Sequence, residues 1–284
     1  MTTIVHRSMT ASMARQWDKS RLYLYVPLTL YLLFTLIPFY WMIVFAFRTS
    51  SSHNPYPWPI TLSNFQTVWN VLHFGMFFEN SLIVGLGVLI GVNIIATMAG
   101  YALARYRFRG RGALVVVLLC TQFVPGVMLL IPLFIIFRHL GLIDNLLALI
   151  VADVVFQLPL TALLMSGFVR NIPVGLEEAA MVDGCSRLRA FFAVTLVLLR
   201  PGFVAVGSFA FIGSWNNFLF ALMFMSSQNH FTLPVGLDYT LSETGVNFGA
   251  LAAGGIIAAV PVVLIFAVIQ RFLVQGITAG AIKG

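Results

Sequence analysis

The chain has 284 residues, of which 60% are hydrophobic and 9% are charged, with 16 Lys and Arg against 9 Asp and Glu for a net charge of +7. A soluble chain would carry about a quarter charged residues, and the mean hydropathy here is +0.96. The composition therefore excludes an ordinary soluble protein and indicates a polytopic membrane protein. In such a protein the basic excess sets orientation first, so nucleic-acid binding is not predicted.

Six apolar segments are long enough for the roughly 20 residues that a bilayer requires. In chain order, the predicted spans are 22–47, 77–104, 112–137, 146–168, 202–225 and 249–274. The first is interpreted as an uncleaved anchor, because its apolar run is too long for a signal peptide and no small-x-small site follows. The predicted fold is all-α, with a cytoplasmic N-terminal segment, 1–21, and a single transmembrane domain, 22–284.

The basic residues predict the orientation of these spans. Fourteen of the 16 lie in the N-terminal segment, in the turn at 105–111, in the stretch at 170–200 or after the start of the last span. The other two, Arg48 and Arg138, lie in loops on the opposite side. Positively charged loops remain in the cytoplasm, so both termini are predicted to be cytoplasmic.

A polar stretch at 171–200 separates the fourth and fifth predicted spans. Asn171 is predicted to cap a short helix, with Pro173 in its first turn, where a missing N–H is tolerated. Gly184 is predicted to end this helix, because glycine readily adopts the left-handed conformation. Ser186 is predicted to cap a second helix. The stretch is therefore predicted to be a cytoplasmic loop containing a short helix, a Gly turn and a second helix.

The residues of this loop resemble the EAA loop of ABC importer permeases, whose pattern is Glu-Ala-Ala, three residues, Gly, nine residues, Ile, one residue and Leu-Pro. Glu178 begins the match, Gly184 follows at the family spacing, Val194 replaces Ile, and Val197 stands where the family has Pro. The resemblance implies a coupling helix that sits in a cleft of a separate ATPase subunit. The docking residues implied are Glu177, Glu178, Ala179, Ala180, Met181, Asp183 and Gly184. The alternative is an ordinary amphipathic connector.

Other segments extend the resemblance to carbohydrate-type importer permeases, and most closely to the maltose-type second permease subunit. These landmarks lie at 61–65, 80–82, 102–110, 131–134, 141–142, 214–216, 232–237 and 276–284. Two residues depart from the pattern: Asn217 replaces an acid usual after Trp-Asn, and Phe248 replaces a Trp usual before Gly249. The resemblance implies the type I ABC importer permease fold.

The sequence carries no motif for catalysis. A phosphate-binding loop requires a lysine after a Gly-rich segment, and neither of the only two lysines, Lys19 and Lys283, meets that requirement. The chain is predicted to be non-enzymatic and to hold no cofactor, with ATP and Mg²⁺ bound by a partner. The family implies as partners an ABC ATPase dimer, a second paralogous permease, an external solute-binding protein or lipoprotein, and the lipid bilayer.

Four polar residues within the predicted spans are candidates for the substrate path. Asp153 is the one acid in the interior of a span, and an intramembrane acid usually faces a cavity or a partner. Asn216, Asn217 and Gln157 are neutral groups that could line a path for a sugar. A structural role in hydrogen bonds between helices is the alternative for all four.

The sequence thus predicts an inner-membrane permease subunit of an ATP-driven importer of a carbohydrate or sugar derivative, working by alternating access. Other solutes, such as a glycerol phosphate or an amino sugar, stay open, because specificity in such systems lies largely in the binding protein. An ion-coupled secondary transporter is a rival, but it needs acids near the midplane and only Asp153 is available. A membrane scaffold without transport is a further rival, against which the coupling motif argues.

Overall fold

The computed structural model describes residues 2–49, 54–244 and 247–281, with side chains described for 23–49, 54–240 and 247–270. Part of the landmark at 276–284 therefore lies outside the described residues. No β-strand occurs in the described ranges, apart from one isolated bridge between Arg48 and Ile60. The α-helices found there are α1 Thr2–Phe47, α2 Ser63–Gln66, α3 Phe74–Arg105, α4 Arg111–Thr121, α5 Leu130–His139, α6 Leu146–Arg170, α7 Val174–Val182, α8 Arg187–Ala190, α9 Leu196–Leu198, α10 Arg200–Trp215, α11 Leu219–Phe224, α12 Leu233–Thr244 and α13 Phe248–Ala281.

The membrane-spanning helices agree with the predicted all-α fold. Among the described residues, four helices are long and apolar enough to cross a bilayer: Tyr23–Phe47 within α1, all of α3, all of α6, and Phe248–Gln270 within α13. Two bent helix pairs pass the same test together, Arg111–Thr121 with Gly126–His139 and Arg187–Leu198 with Arg200–Trp215, and counting each pair as one span gives six. The predicted number of spans is therefore matched when each bent pair is one span. The second pair, however, begins inside the predicted loop at 171–200 and ends at Trp215, before the predicted end of the fifth span at 225.

The third predicted span, 112–137, is not a continuous helix. α4 ends at Thr121, and the chain bends by 91° before it continues through the 3₁₀ helix Gly126–Leu129 into α5. Pro125 lies at the break with an extended ψ of 127°. Proline has no N–H to donate and clashes with the preceding turn, so Pro125 disfavours a continuous helix at this position.

The fifth predicted span, 202–225, is also interrupted. α10 ends at Trp215, and α11 begins only at Leu219. Between them, the Asn217 side-chain oxygen accepts a hydrogen bond from the backbone N–H of Phe220 at 3.2 Å. Asparagine side chains compete in this way with helical backbone hydrogen bonds, so Asn217 favours a new helix start over continuation of α10.

The second and fourth spans each differ from prediction at one end by two or three residues, as helix ends commonly do. The second span begins at Phe74 instead of 77, and the fourth continues to Arg170 instead of ending at 168. α1 begins at Thr2, well before the first predicted span.

One compact unit consists of Met1–Phe65 and Phe248–Ile256. The end of α1 is held there by the buried side chain of Asn64. Its amide donates hydrogen bonds to the carbonyl oxygens of Phe45, Ala46 and Arg48 at 2.9–3.2 Å. The last carbonyls of a helix have no partner inside the helix. The Asn64 amide pairs two of them, and the Thr61 N–H donates to the carbonyl of Phe47 at 2.9 Å.

The second unit consists of Gln66–Asn247 and Ile257–Gly284, and its core forms where α3 packs against α6 and α10. The close approach of α3 and α6 depends on Gly100. A Cβ at this position would lie 2.8 Å from the backbone nitrogen of Ser166. Small residues allow this approach in membrane helices, where dispersion contacts drive association.

A carboxylate fastens two loops of the second unit to each other. Asp144, just before α6, accepts hydrogen bonds from the backbone N–H groups of Ser226 and Ser227 at 2.9 and 3.0 Å. His230 Nδ1 lies 3.3 Å from the same carboxylate. Burial opposes ionisation, but these hydrogen bonds outweigh it and hold the pKa of Asp144 below its usual range.

Candidate functional site

The predicted coupling helix is α7, and its start differs from prediction. Asn171 does not cap α7; it follows the end of α6, where its N–H donates back to the carbonyl oxygens of Gly167 and Phe168. The cap position of α7 is Pro173, with φ −57° and ψ 130°. Residues before proline avoid the helical conformation, so the break falls immediately before Pro173 and α7 starts after it.

The end of α7 is as predicted. Gly184 has φ +90°, and its N–H donates to the carbonyl of Met181 at 3.1 Å. The next N–H, of Cys185, donates to the carbonyl of Ala180 at 3.0 Å. Ser186 then caps α8 through a hydrogen bond from the backbone N–H of Arg189 at 3.3 Å. The left-handed glycine and the serine cap are both confirmed.

Glu177 faces the membrane-spanning helices, and only 6% of its surface is exposed. One carboxylate oxygen accepts from Arg105 Nε at 2.9 Å and from the Thr195 hydroxyl at 2.7 Å. The other oxygen accepts from the Tyr101 hydroxyl at 2.9 Å. We call these four residues the Glu177 network. The network fastens α7 to α3 and to the π-helical segment Phe191–Thr195.

Electrostatics keep the Glu177 carboxylate ionised. Burial by itself would raise the pKa of this group, but the hydrogen bonds from Thr195, Tyr101 and Arg105 and the charge of Arg105 lower it further than burial raises it. Arg105 is satisfied as well, because its Nη2 atom also donates to the carbonyl of Ile172 at 2.9 Å. A buried ion pair is tolerated only when its remaining donors and acceptors are paired in this way.

The other residues predicted to dock an ATPase differ in exposure. Glu178, Ala179, Asp183 and Gly184 are exposed, whereas Ala180 and Met181 are half-buried. Val182, which the sequence reasoning did not select, has 87% of its surface exposed in the same segment. Ala180 and Met181 follow Glu177 by three and four residues, so they lie on the same side of α7 as Glu177. We call the exposed residues Glu178, Ala179, Val182, Asp183 and Gly184 the α7 outer face. The docking role of this face stays a prediction.

Three of the four substrate-path candidates come together in one cavity of about 400 Å³. Asp153 and Gln157 reach it from α6, and Asn217 reaches it from the break between α10 and α11. The Asn217 amide donates to a carboxylate oxygen of Asp153 at 2.5 Å. Asn216 does not line the cavity: it is exposed, and its amide donates to the carbonyl of Ile212 in its own helix at 2.8 Å.

Sequence reasoning missed several residues that the structure brings to these sites. Arg105 was considered as a positive charge that sets orientation and as part of the landmark at 102–110, but not as a partner of the coupling helix. Nothing in the spacing of Tyr101 or Thr195 pointed to Glu177. The described residues contain no group of three His, Cys, Asp or Glu side chains that could hold a metal ion.

Comparison with known proteins agrees with this architecture. A family model described as "binding-protein-dependent transport system inner membrane component" matches residues 93–279. The inner membrane ABC transporter permease protein YcjP of Escherichia coli (strain K12) is 35% identical over 274 residues, covering 93% of this chain and 97% of that protein. The diacetylchitobiose uptake system permease protein DasC of Streptomyces coelicolor is 37% identical over 252 residues, covering 87% and 91%.

A solved structure shows the same fold. It is the crystal structure of a bacterial ABC transporter involved in the import of the acidic polysaccharide alginate. The matching chain aligns with a TM-score of 0.77 at 22% identity, over 87% of this chain and 93% of that one. The chain described here therefore belongs to the inner membrane components of binding-protein-dependent transport systems, the multi-pass permease subunits of ABC transporters.

Proposed function

We propose that this chain is a non-catalytic permease subunit that imports a carbohydrate or sugar derivative, driven by ATP hydrolysis in a separate ATPase dimer. The observation that carries the proposal is the two-sided environment of α7. One side is fixed to the membrane-spanning helices through Glu177, and the other side exposes Glu178 and Asp183 beside small residues. The relative DasC is a diacetylchitobiose uptake system permease protein, which supports a carbohydrate as the solute.

The mechanism follows from what the Glu177 network connects. When ATP closes the ATPase dimer, its cleft would displace α7, and α7 would carry Glu177 with it. Because Arg105 and Tyr101 belong to α3 and Thr195 lies before α9, the displacement would reach two separate membrane segments at once. Rigid helices with packed contacts transmit such movements, so the spans would alternate between inward- and outward-open arrangements.

The remaining partners and the orientation belong to the same proposal. The family description itself names a binding protein, which would deliver the solute from outside. A second paralogous permease would complete the translocation path, and the ATPase dimer would bind ATP and Mg²⁺. The distribution of basic residues supports cytoplasmic termini and a cytoplasmic α7.

Co-purification tests the proposal directly. The tagged chain, extracted in detergent from its native membrane, is expected to bring an ATPase with it, and the chain alone is expected to show no ATP hydrolysis. Hydrolysis should appear only in the assembled complex and should rise when loaded binding protein is added. Hydrolysis by the purified chain alone would contradict the importer proposal and indicate an enzyme. Ion-driven solute uptake without any ATPase would contradict it and indicate a secondary transporter.

Orientation is tested by labelling single cysteines with a membrane-impermeant thiol reagent in intact cells. The two native cysteines, Cys120 and Cys185, are first replaced by serine. Asn229→Cys, in an exposed position between α11 and α12, is expected to react. Arg109→Cys, also exposed, is expected to react only after the cells are permeabilised. Labelling of Arg109→Cys in intact cells would reverse the proposed topology.

A further inference from the structure

We propose that the cavity at Asp153 is a solute-binding site for one or two units of a neutral or amine-bearing sugar, and that it discriminates against anionic sugars. This inference rests on the proposed function and gives it a chemical class of substrate. The cavity is lined by Gln122, Gly126, Val127, Asp153, Phe156, Gln157, Leu160, Phe209, Gly213, Asn217, Leu219 and Phe220. Its volume of about 400 Å³ lies in the range that small ligands occupy, roughly 300–1,000 Å³.

The polar groups of the cavity suit hydroxyl groups. Gln157 Oε1 is buried and accepts no hydrogen bond from any residue that the structure describes. Asp153 receives the Asn217 amide on one carboxylate oxygen, and a carboxylate has about four lone-pair sites in total. Sugar hydroxyl groups can donate to these acceptors. An unpaired buried acceptor costs free energy, so a hydroxyl donor would relieve that cost at Gln157.

The apolar wall of the cavity suits a sugar ring. Phe156 and Phe220 pack against each other with ring centroids 5.0 Å apart. Gly126 lies over this pair, since a Cβ built at that position would be 3.6 Å from Phe156 and 3.8 Å from Phe220. Aromatic walls with a few fixed polar groups are typical of small-molecule sites. The combination provides an apolar surface for ring C–H groups and polar acceptors for hydroxyl groups.

The charge of the lining predicts the discrimination. None of the cavity-lining side chains is a lysine, arginine or histidine, and Asp153 is an acid. An anionic sugar would enter a site with a carboxyl group and no cation to balance it, in surroundings where charges interact more strongly than in water. A neutral sugar avoids this repulsion, and the amine of an amino sugar gains a partner.

The position of the cavity suits translocation. Gln157 is 11 residues after the start of α6, which places it about 16 Å along a helix about 37 Å long. The cavity is bordered by the break between α4 and α5 and by the break between α10 and α11. Irregular backbone at membrane depth is tolerated where it lines a cavity. Both interruptions of the predicted spans therefore fall at the proposed site.

Saturation-transfer-difference NMR on the full chain in lipid nanodiscs tests the site. The probes are cellobiose, the disaccharide of glucosamine and the disaccharide of galacturonic acid, which are similar in size and differ in charge. Cellobiose and the glucosamine disaccharide are expected to bind at millimolar concentration, and the galacturonic acid disaccharide at least about tenfold more weakly. Equal binding of all three, or binding of none, would overturn the proposal.

Two variants test separately the contribution of the Asp153 charge and that of the aromatic wall to sugar binding. Asp153→Asn keeps the shape of the side chain and is expected to bring the three affinities within about threefold of one another. Phe220→Leu is expected to weaken cellobiose binding about tenfold. Phe137→Leu is the matched control, because Phe137 is equally buried, also packs against Phe224 and lies outside the cavity.

Unchanged discrimination in Asp153→Asn, or equal effects of the two phenylalanine variants, contradicts the site. Co-purification of the ATPase does not depend on this cavity. Failure of sugar binding with retained ATPase association would therefore overturn the binding site and leave the proposed function intact.

Discussion

Glu177→Ala is expected to abolish solute uptake by the assembled transporter. The substitution leaves Arg105 with a buried charge and removes the acceptor of both the Thr195 and Tyr101 hydroxyl groups. Breaking a buried ion pair by removal of one partner costs roughly 3–5 kcal/mol. The membrane-spanning helices retain their own packing, so the free energy is lost mainly at the junction of α7 with α3. Uptake of radiolabelled solute, normalised to the amount of chain in the membrane, measures the effect.

The partner side of the pair provides matched controls. Arg105→Ala is expected to cause the same loss as Glu177→Ala, whereas Arg109→Ala, at an exposed position of the same turn, should leave uptake close to normal. Tyr101→Phe removes a single hydrogen bond to a charged group, which contributes about 1.5–3 kcal/mol, so its effect should be intermediate. Tyr40→Phe also removes one tyrosine hydrogen bond, to the Pro55 carbonyl in the other unit, and should be mild.

A second readout separates transmission from folding. If the Glu177 network only stabilised the chain, Glu177→Ala would lower its amount in the membrane and the remaining molecules would transport normally. Transmission through the network predicts the opposite: near-normal membrane level, with ATP hydrolysis no longer stimulated by loaded binding protein. Normal coupling per molecule in Glu177→Ala would show that α7 acts without the network.

The sequence predicted the spans because their signal is local. Each span is a long apolar run, and the loop after the fourth span carries its own start and stop residues in Gly184 and Ser186. The interruptions near Pro125 and Asn217 were not predicted, since hydropathy counts side chains and is insensitive to backbone hydrogen bonds. Pro125 was visible, but proline also occurs within continuous helices of this chain, such as Pro159 in α6.

The sequence could not predict that Glu177 would be buried against the spans while Glu178 is exposed. Neighbouring residues on a helix point about 100° apart, so at most one of two adjacent acids can face the spans while the other faces outward. Which one does so depends on Arg105, 72 residues away in the chain. The cavity could not be predicted for the same reason, because its residues Asp153 and Asn217 are 64 residues apart in the chain. Long-range pairs of this kind require the packed helices.

Gly184→Val is expected to abolish uptake through the backbone alone. Gly184 has φ +90°, and a Cβ built there meets nothing within 4 Å, so the substitution causes no clash with a neighbour. Side chains other than glycine are disfavoured in this conformation by about 1–2 kcal/mol, and a β-branched residue is a poor choice there. The chain is expected to leave the left-handed conformation, which redirects α8 and removes the α7 outer face from its docking position.

Gly175→Val is the matched control for this change. It lies in the first turn of the same helix, where a Cβ also meets nothing within 4 Å and φ is not left-handed. Valine is a slightly better helix former than glycine, so Gly175→Val should transport normally. The two glycine variants introduce the same side chain into equally open space, and any difference between them reports the backbone conformation.

Glu178→Arg is also expected to abolish uptake, but for a different physical reason. Glu178 is exposed on α7, so charge reversal leaves the helix and the Glu177 network in place and alters only the α7 outer face. Co-purification of the ATPase should fall, while the amount of chain in the membrane stays normal. Normal uptake by both Gly184→Val and Glu178→Arg would mean that 171–200 is only a connector. Loss in Gly184→Val alone would place docking elsewhere in the loop, since the conformation would matter and the charge of the outer face would not.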